Sequence, residues 1–244
     1  MSSALARRVL AEFLGAGLLV SVVVGSGIMA ATLSPYDVGL ELLENSLATA
    51  AGLSVLILAL GPVSGAHFNP VVSLADWALG RRTRAGLTSR ELAAYLPAQV
   101  TGAIGGAVLA NLMFGLPAVT ASTHHRSAPH LLLGEVVATA GLVALICALA
   151  RQGRARLAPA AVGAYIGAAY WFTSSTSFAN PAVTIGRAFT DTFAGIAPSS
   201  VPGFIGAQLT GAVLGASVVL ALYPLHRPAR PDGMNDLTES AVVS

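Results

Sequence analysis

Two long stretches without a charged side chain limit what this chain can fold into. Residues 13–33 (FLGAGLLVSVVVGSGIMAATL) and residues 45–75 contain no Asp, Glu, Arg or Lys. Each exceeds the roughly 20 residues that an α-helix needs to cross the hydrocarbon of a bilayer. Only 10% of the 244 residues are charged, far below the about 25% of soluble domains. Because backbone polar groups in lipid must be satisfied internally, the sequence predicts an all-α membrane protein.

Apolar runs of membrane-spanning length occur six times. We predict spanning helices near residues 6–32, 40–61, 91–114, 131–150, 157–175 and 201–223. Two shorter apolar segments, residues 69–79 and 180–190, each begin at an Asn-Pro pair. Pro is favoured in the first turn of a helix and Asn is a strong N-cap, so each pair predicts a helix start. The expected fold is six transmembrane helices plus two re-entrant half-helices.

The arginines predict the orientation in the membrane. All 13 basic residues are Arg, and all but Arg126 and Arg187 fall on one side if the spans number six. Positive residues concentrate on the cytoplasmic side. We therefore expect a multi-pass protein of the inner (plasma) membrane with both termini cytoplasmic. Residues 225–244 are polar and contain Pro, which predicts a disordered cytoplasmic tail.

The two halves of the chain resemble each other. Two pairs of segments carry the likeness: AEFLGAGLLV (11–20) with GEVVATAGLV (134–143), and AQVTGAIGGA (98–107) with AQLTGAVLGA (207–216). Three spans per half reverse the orientation of the second half. We therefore expect one channel domain, residues 1–224, built from inverted repeats at about 6–115 and 131–224. Inverted repeats place functional sites near the bilayer midplane, where short or broken helices meet.

The two Asn-Pro segments, HFNPVV (67–72) and FANPAV (178–183), are expected to meet at the bilayer centre from opposite faces. The motif residues are Asn69, Pro70 and Val71 in the first segment and Asn180, Pro181 and Ala182 in the second. Helix N-termini carry partial positive charge, and Asn amides can donate to a solute oxygen. Such a centre repels cations and admits small neutral solutes, which predicts a pore. The alternative, that each pair merely starts an ordinary helix, explains one motif better than two matched ones.

Two carboxylates occupy matched positions within predicted spans, Glu12 and Glu135. Proton coupling is one interpretation of such groups. The repeat favours another, in which each accepts hydrogen bonds from the backbone of its own re-entrant loop. His67 precedes the first motif and is expected in a cytoplasmic vestibule. No pattern indicates an enzyme, a metal site, a cofactor or a nucleic-acid partner, and the net charge is only +2.

SGAHFNPVV and SFANPAV resemble the paired signature loops of the aquaporin (major intrinsic protein) family, and the AEF-type first helix and AQxTGA third helix agree with it. The resemblance covers about residues 6–224. It implies an aquaporin-like homotetramer in the lipid bilayer, in which each protomer has its own pore for small neutral solutes. The segment ANPAVTIGRAFTDTFAGI (179–196) is similar to an aquaglyceroporin-like bacterial branch encoded in arsenic-resistance operons. That similarity implies passage of arsenite, uncharged As(OH)3, beside glycerol-like polyols and water.

The resemblance also implies where the narrowest filter lies. The family's spacing from the two Asn residues gives Thr49, Ala168, Ser177 and Val183. The family typically has Arg where Val183 stands, so we expect a wide and nearly neutral filter. A shift of two residues would replace Ala168 by Tyr170 and narrow the pore considerably. Arg187, one helical turn beyond Val183, is expected as a structural or rim charge.

The leading interpretation is a passive channel for small uncharged solutes. A water-selective aquaporin is a second. An ion- or proton-coupled secondary transporter with inverted repeats is a third, and it would require Glu12 or Glu135 to titrate during transport. A non-conducting scaffold is a fourth, although no feature of the sequence blocks the pore.

Overall fold

The computed structural model describes residues 2–83 and 86–223. Within these residues the chain forms eight α-helices and no β-strand. The helices are α1 (Ser3–Leu33), α2 (Val38–Ser64), α3 (Pro70–Thr83), α4 (Ser89–Met113), α5 (Pro129–Arg151), α6 (Ala158–Phe172), α7 (Pro181–Gly186) and α8 (Val201–Leu222). The tail predicted for residues 225–244 lies outside the described residues.

The six predicted spans are confirmed as α1, α2, α4, α5, α6 and α8, and each end lies within three residues of its predicted position. Five of the described helices are long and apolar enough to cross a bilayer, judged by length and composition. The exception is α6, with 15 residues. A 3-10 turn at Ala155–Leu157 precedes α6 and lengthens its helical path. The described part of the chain is thus all-helical, as the sequence predicts.

Within each half, glycines let two helices touch backbone to backbone. In the first half α1 packs on α4, and in the second half α5 packs on α8. A Cβ atom at Gly102 would lie 2.2 Å from the carbonyl oxygen of Phe13, and one at Gly106 would lie 2.0 Å from that of Gly17. Small residues allow this close approach in lipid. The second half repeats the contact at the equivalent positions, Gly211 against Val136 and Gly215 against Ala140.

The two re-entrant half-helices, α3 and α7, begin at the prolines of the Asn-Pro pairs. They differ in length, because α3 has 14 residues whereas α7 has six and continues as a 3-10 turn, Arg187–Phe189. The first segment therefore extends beyond its predicted end at residue 79, whereas the second, predicted to end at residue 190, is helical to Phe189. Both half-helices pack against α4 and against α8. Each one is consequently held by spanning helices of both repeats.

Candidate pore and filter

Two loops with unusual backbone geometry precede the half-helices α3 and α7. Among the described residues, five that are not glycine have positive φ, between 47° and 61°: Ala66, Phe68, Thr176, Ser177 and Ala179. All five lie in the two loops that precede Asn69 and Asn180. The left-handed region costs an L-residue roughly 1–2 kcal/mol. Such conformations persist only where the surroundings hold them, so these loops need external support.

Glu12 of α1 supports the first loop. Its Oε1 accepts the backbone N–H of His67 at 3.0 Å, and its Oε2 accepts that of Phe68 at 2.7 Å. Gln99 of α4 donates from Nε2 to the same Oε2 at 2.7 Å, and to Ser73 Oγ at 2.9 Å. Both Glu12 and Gln99 are fully buried. The carboxylate is thus occupied by backbone donors of the loop and by the brace from α4.

Glu135 of α5 supports the second loop in the same way. Its two oxygens accept the N–H groups of Phe178 at 2.8 Å and Ala179 at 2.9 Å. Gln208 of α8 donates to Glu135 Oε2 at 2.6 Å and to Thr184 Oγ1 at 2.8 Å. Every partner occupies the repeat position equivalent to its counterpart in the first half. This geometry agrees with a bracing role for both carboxylates and leaves little of either free to carry protons.

The two motif asparagines bond across the centre of the molecule. Asn69 Nδ2 donates to the carbonyl oxygen of Ala179, and Asn180 Nδ2 donates to that of Phe68, both at 2.8 Å. Asn180 Oδ1 accepts the N–H of Ala182 at 2.9 Å as the N-cap of α7. Asn69 Oδ1 caps α3 by accepting the N–H of Val71 at 3.1 Å. Each amide nitrogen keeps one further hydrogen to donate, because an Asn amide has two.

A cavity of about 560 Å³ passes both asparagines. One end, which we call the filter end, is lined by Thr49, Tyr170 and Val183; the other, the vestibule end, is lined by Pro62 and Arg156. Most of the wall between them is apolar, from Leu19, Val23, Leu53, Val72, Leu142, Ile146, Val162 and Ile166. The motif residues Pro70, Val71, Pro181 and Ala182 are buried behind the asparagines and do not belong to this lining.

The position on α6 at the filter end belongs to Tyr170, so the expectation for Ala168 is wrong. Ala168 lies on the exposed surface of α6 and does not line the cavity. Tyr170 is 3% exposed, lines the cavity, and donates its hydroxyl hydrogen to Thr49 Oγ1 at 3.2 Å. Residues two apart on a helix point to nearly opposite faces. A phenol ring therefore lines the cavity where a methyl group was expected.

Two further residues expected at the filter, Ser177 and Val183, also line the cavity. Their exposed fractions are 3% and 5%. Ser177 Oγ is buried and has no hydrogen-bond partner among the described residues. Val183, in the first turn of α7, offers only methyl groups. This end of the cavity therefore has the methyl groups of Val183 in its wall, while the Ser177 hydroxyl is enclosed by protein.

Residues 1–177 match the model of the family described as MIP, major intrinsic protein. The chain belongs to the major intrinsic protein family. It is 53% identical to aquaglyceroporin AqpS of Rhizobium meliloti, over 93% of each chain, and 34% identical to the glycerol uptake facilitator protein of Pseudomonas aeruginosa, over 90% of each. The X-ray structure of the aquaglyceroporin from Plasmodium falciparum superposes with a TM-score of 0.65, covering 88% of this chain and 95% of that one at 20% identity. That superposition supports the aquaporin-like fold.

In this major intrinsic protein Arg187, expected as a structural or rim charge, is buried inside the protein. It is 3% exposed and lines the cavity at the filter end. Its Nε donates to the carbonyl oxygen of Ala194, and its Cζ lies 3.4 Å from the ring centroid of Phe178. Arg187 is the first residue of the 3-10 turn that follows α7, and no pattern in the sequence signals that turn.

His67 lies near the vestibule end. It lines both the main cavity and an adjoining polar cavity of about 390 Å³. Its Nδ1 is 3.0 Å from Ser73 Oγ, and its ring meets Tyr95 edge to face at a centroid distance of 5.8 Å. Tyr95 donates to the carbonyl oxygen of Ser64 at 2.8 Å and accepts from Arg8 Nε at 2.9 Å. Sequence reasoning missed Tyr95, although its place one turn before Gln99 on α4 puts it on the same helix face.

Proposed function

We propose that this protein is a passive transmembrane channel for small uncharged solutes that carry hydroxyl groups. The solutes are glycerol-like polyols and arsenite, As(OH)3, with water passing the same route. One observation carries the proposal: a single cavity runs past the two reciprocally bonded asparagines, Asn69 and Asn180. The relatives named as an aquaglyceroporin and a glycerol uptake facilitator are similar to this chain over nearly its whole length, which agrees with that solute class.

The chemistry of the cavity wall fits such solutes. Polar residues that line the cavity include Asn69, Asn180, Thr49 and Tyr170. Most of the remaining wall is aliphatic. A polyol or As(OH)3 can exchange its hydrogen bonds with water for bonds to these polar groups while its remaining surface contacts hydrocarbon. A cation would lose its hydration along the apolar part of the wall, which is costly without a compensating partner.

We assign the filter to Thr49, Tyr170, Ser177 and Val183, and the vestibule to His67. Glu12 and Glu135 hold the loops that place the asparagines. Because each carboxylate already accepts bonds from two backbone N–H groups, we favour passive flow over proton-coupled transport. The family resemblance further supports a homotetramer with both termini in the cytoplasm. Large apolar side chains on the surface of α2, including Leu47, Val55 and Leu58, can face lipid or a second protomer.

A water-selective channel is the second candidate. Tyr170 favours it, since this bulky side chain bonds to Thr49 at the filter end and reduces the space for a polyol. Val183 favours the polyol channel, because it leaves the wall beside Asn180 apolar and free of a long side chain. The two candidates differ in whether glycerol passes at a rate comparable with water.

Stopped-flow light scattering on proteoliposomes separates these candidates. Water, glycerol and arsenite permeability are compared in wild type, Val183→Arg and the control Gly105→Ala, whose added methyl group meets no atom within 4 Å. Ready passage of glycerol and arsenite, suppressed by Val183→Arg alone, is the expected result. Passage of water only would assign the second candidate. Saturable flux that follows an imposed pH gradient would instead indicate a coupled transporter.

A further inference from the structure

Arg187 stands at the filter end although the family's usual filter position carries Val183. Both residues line the cavity, together with Tyr170 and Ser177. Arg187 is the fourth residue after Val183, which corresponds to about 6 Å along a helix axis. The side chain of Arg187 is nevertheless inside the protein, with 3% of its surface exposed. Burial of an arginine at this end of the cavity requires an explanation, because a buried charge is costly unless it is partnered.

The partners of Arg187 fix its position and leave its charge uncompensated. Nε donates to the carbonyl oxygen of Ala194, in the segment after the 3-10 turn. The guanidinium stacks on the ring of Phe178, two residues before Asn180. Among the described residues no carboxylate forms a salt bridge with Arg187. A neutral carbonyl and an aromatic face orient the group without cancelling its positive charge.

The two Nη atoms of Arg187 are its remaining hydrogen-bond donors. Within the described chain neither Nη atom has a protein acceptor, whereas Nε has one. Ser177 also lines the cavity, but its Oγ is enclosed by protein and has no partner. Guanidinium nitrogens are donors only. The Nη groups of Arg187 are therefore unused donors of a residue that lines the cavity.

We propose that Arg187 is a specificity-determining residue of the channel, supplying from one turn beyond Val183 the fixed positive charge and the donors of the filter. The inference rests on the proposed function and adds the ligand chemistry of the filter. Neutral solutes with oxygen acceptors are bound by the Nη groups of Arg187, and small organic cations are repelled. The positive charge of Arg187 lies one turn along the axis from Val183. The wall beside Asn180 therefore stays open to solutes wider than water.

Arg126 provides a matched control for this proposal. Its Cζ lies 5.3 Å from the ring centroid of the same Phe178, and its Nε donates to the carbonyl oxygen of Gly195 at 3.0 Å. It does not line the cavity. Arg126→Gln therefore removes one positive charge beside the same aromatic ring without touching the solute path. A general effect of charge would appear in both variants, and a filter effect only in Arg187→Gln.

The test measures glycerol, urea and methylammonium permeability in proteoliposomes of wild type, Arg187→Gln, Arg187→Lys and Arg126→Gln. The ratio of methylammonium to glycerol permeability should rise about tenfold or more in Arg187→Gln, because a nearby unit charge strongly repels a cation in a partly buried path. Arg187→Lys should keep the wild-type exclusion of methylammonium. It should also change the ratio of glycerol to urea, because Lys is a point charge without the planar fork of donors. Arg126→Gln should behave as wild type.

The outcomes separate the two proposals. If wild-type vesicles pass no glycerol, the proposed function fails whatever Arg187 does. If wild type passes glycerol but the methylammonium ratio of Arg187→Gln equals that of Arg126→Gln, the filter assignment is overturned. If Arg187→Gln does not yield folded protein, the two permeability ratios of Arg187→Lys test the filter assignment instead. Preserved cation exclusion with an altered glycerol-to-urea ratio supports the assignment, and two unchanged ratios overturn it.

Discussion

Tyr170 of α6 and Thr49 of α2 are joined by a hydrogen bond of 3.2 Å at the filter end of the cavity. The bond ties together two spanning helices that belong to different repeats. Tyr170 and Thr49 both line the cavity. We therefore expect the phenol ring to set the largest solute that passes the proposed channel.

Replacing Tyr170 should change solute size selection. In Tyr170→Ala the ring is lost, and glycerol and arsenite permeability should rise several-fold by stopped-flow light scattering. Tyr170→Phe keeps the ring and loses only the bond to Thr49, so its permeability should stay near wild type. Ala168→Val, on the outer surface of α6, is the control and should have no effect. A large effect of Ala168→Val together with none from Tyr170→Ala would restore the original assignment of the filter.

Removing either bracing carboxylate should destabilise the protein strongly and to a similar extent. Glu12→Ala and Glu135→Ala each leave two loop N–H groups and a Gln amide without their acceptor. A buried donor left unpaired costs about 1–3 kcal/mol. We expect a large fall in the thermal midpoint in detergent for both variants. Asp37→Asn, at the N-cap of α2, should be nearly neutral because Asn caps as well as Asp.

The glycine contacts between α1 and α4 give a matched pair of substitutions on one helix. Gly102→Ala would bring a Cβ atom to 2.2 Å from the carbonyl oxygen of Phe13, whereas Gly105→Ala meets no atom within 4 Å. The first should cost about 1–3 kcal/mol or more through overpacking. The second should be neutral. Thermal unfolding followed by circular dichroism checks both, and equal midpoints would contradict the close approach of α1 and α4.

The same comparison can be made in the second half. Gly215→Ala would place its Cβ 2.2 Å from the carbonyl oxygen of Ala140, and Gly206→Ala meets no atom within 4 Å. Because the two halves are equivalent, we expect the difference between these two variants to resemble that in α4. A loss confined to one half would show that the repeats do not contribute equally to stability.

A pH-dependent contact should exist outside the membrane-spanning helices, between Asp191 and Thr123. Asp191 accepts the backbone N–H of Thr123 at 2.8 Å, and this bond holds the pKa of the carboxyl below its usual value. A lowered carboxyl pKa stabilises the contact above the unfolded pKa of about 3.9. The stabilisation is lost as the pH falls through the lowered pKa.

Hydrogen exchange of the segment around Thr123, corrected for the intrinsic rate, measures this dependence. Wild type should be protected at neutral pH and lose protection in acid below about pH 4. Asp191→Ala should exchange rapidly at every pH. His124 Nε2 lies 3.8 Å from Asp191 Oδ1, so His124→Ala separates the two partners of the carboxylate. Protection in Asp191→Ala equal to wild type would remove Asp191 from the contact.

The sequence alone predicted the structure well wherever the two repeats carried the same residue pattern. The six spans follow from apolar length, and the half-helix starts follow from the Asn-Pro pairs. The roles expected for Glu12 and Glu135 correspond to observed hydrogen bonds because each half contains its own carboxylate and its own loop. Membrane orientation and assembly into tetramers stay predictions, since a single chain carries no membrane and no second protomer.

The sequence was insufficient where side-chain direction depends on local geometry. Counting from Asn180 placed Ala168 in the filter, but the position depends on where α6 ends and on the path of the loop that follows it. An error of two residues exchanges a methyl group for the ring of Tyr170. For Arg187 the sequence left a structural and a rim role open, because it does not show that α7 gives way to a 3-10 turn after six residues. Neither feature has a residue pattern that predicts it.

The crossed bonds of Asn69 and Asn180 make the centre where the two half-helices begin a joint product of both halves. Each asparagine finds its acceptor on the opposite loop, at Ala179 or at Phe68. A single half, with three spanning helices and one loop, could complete this centre only against a second copy inserted in the opposite direction. Because the two halves are joined in one chain, each molecule is synthesised with both of them. The opposed arrangement then does not depend on a second copy. A substitution in either half therefore alters a structure that the other half cannot rebuild.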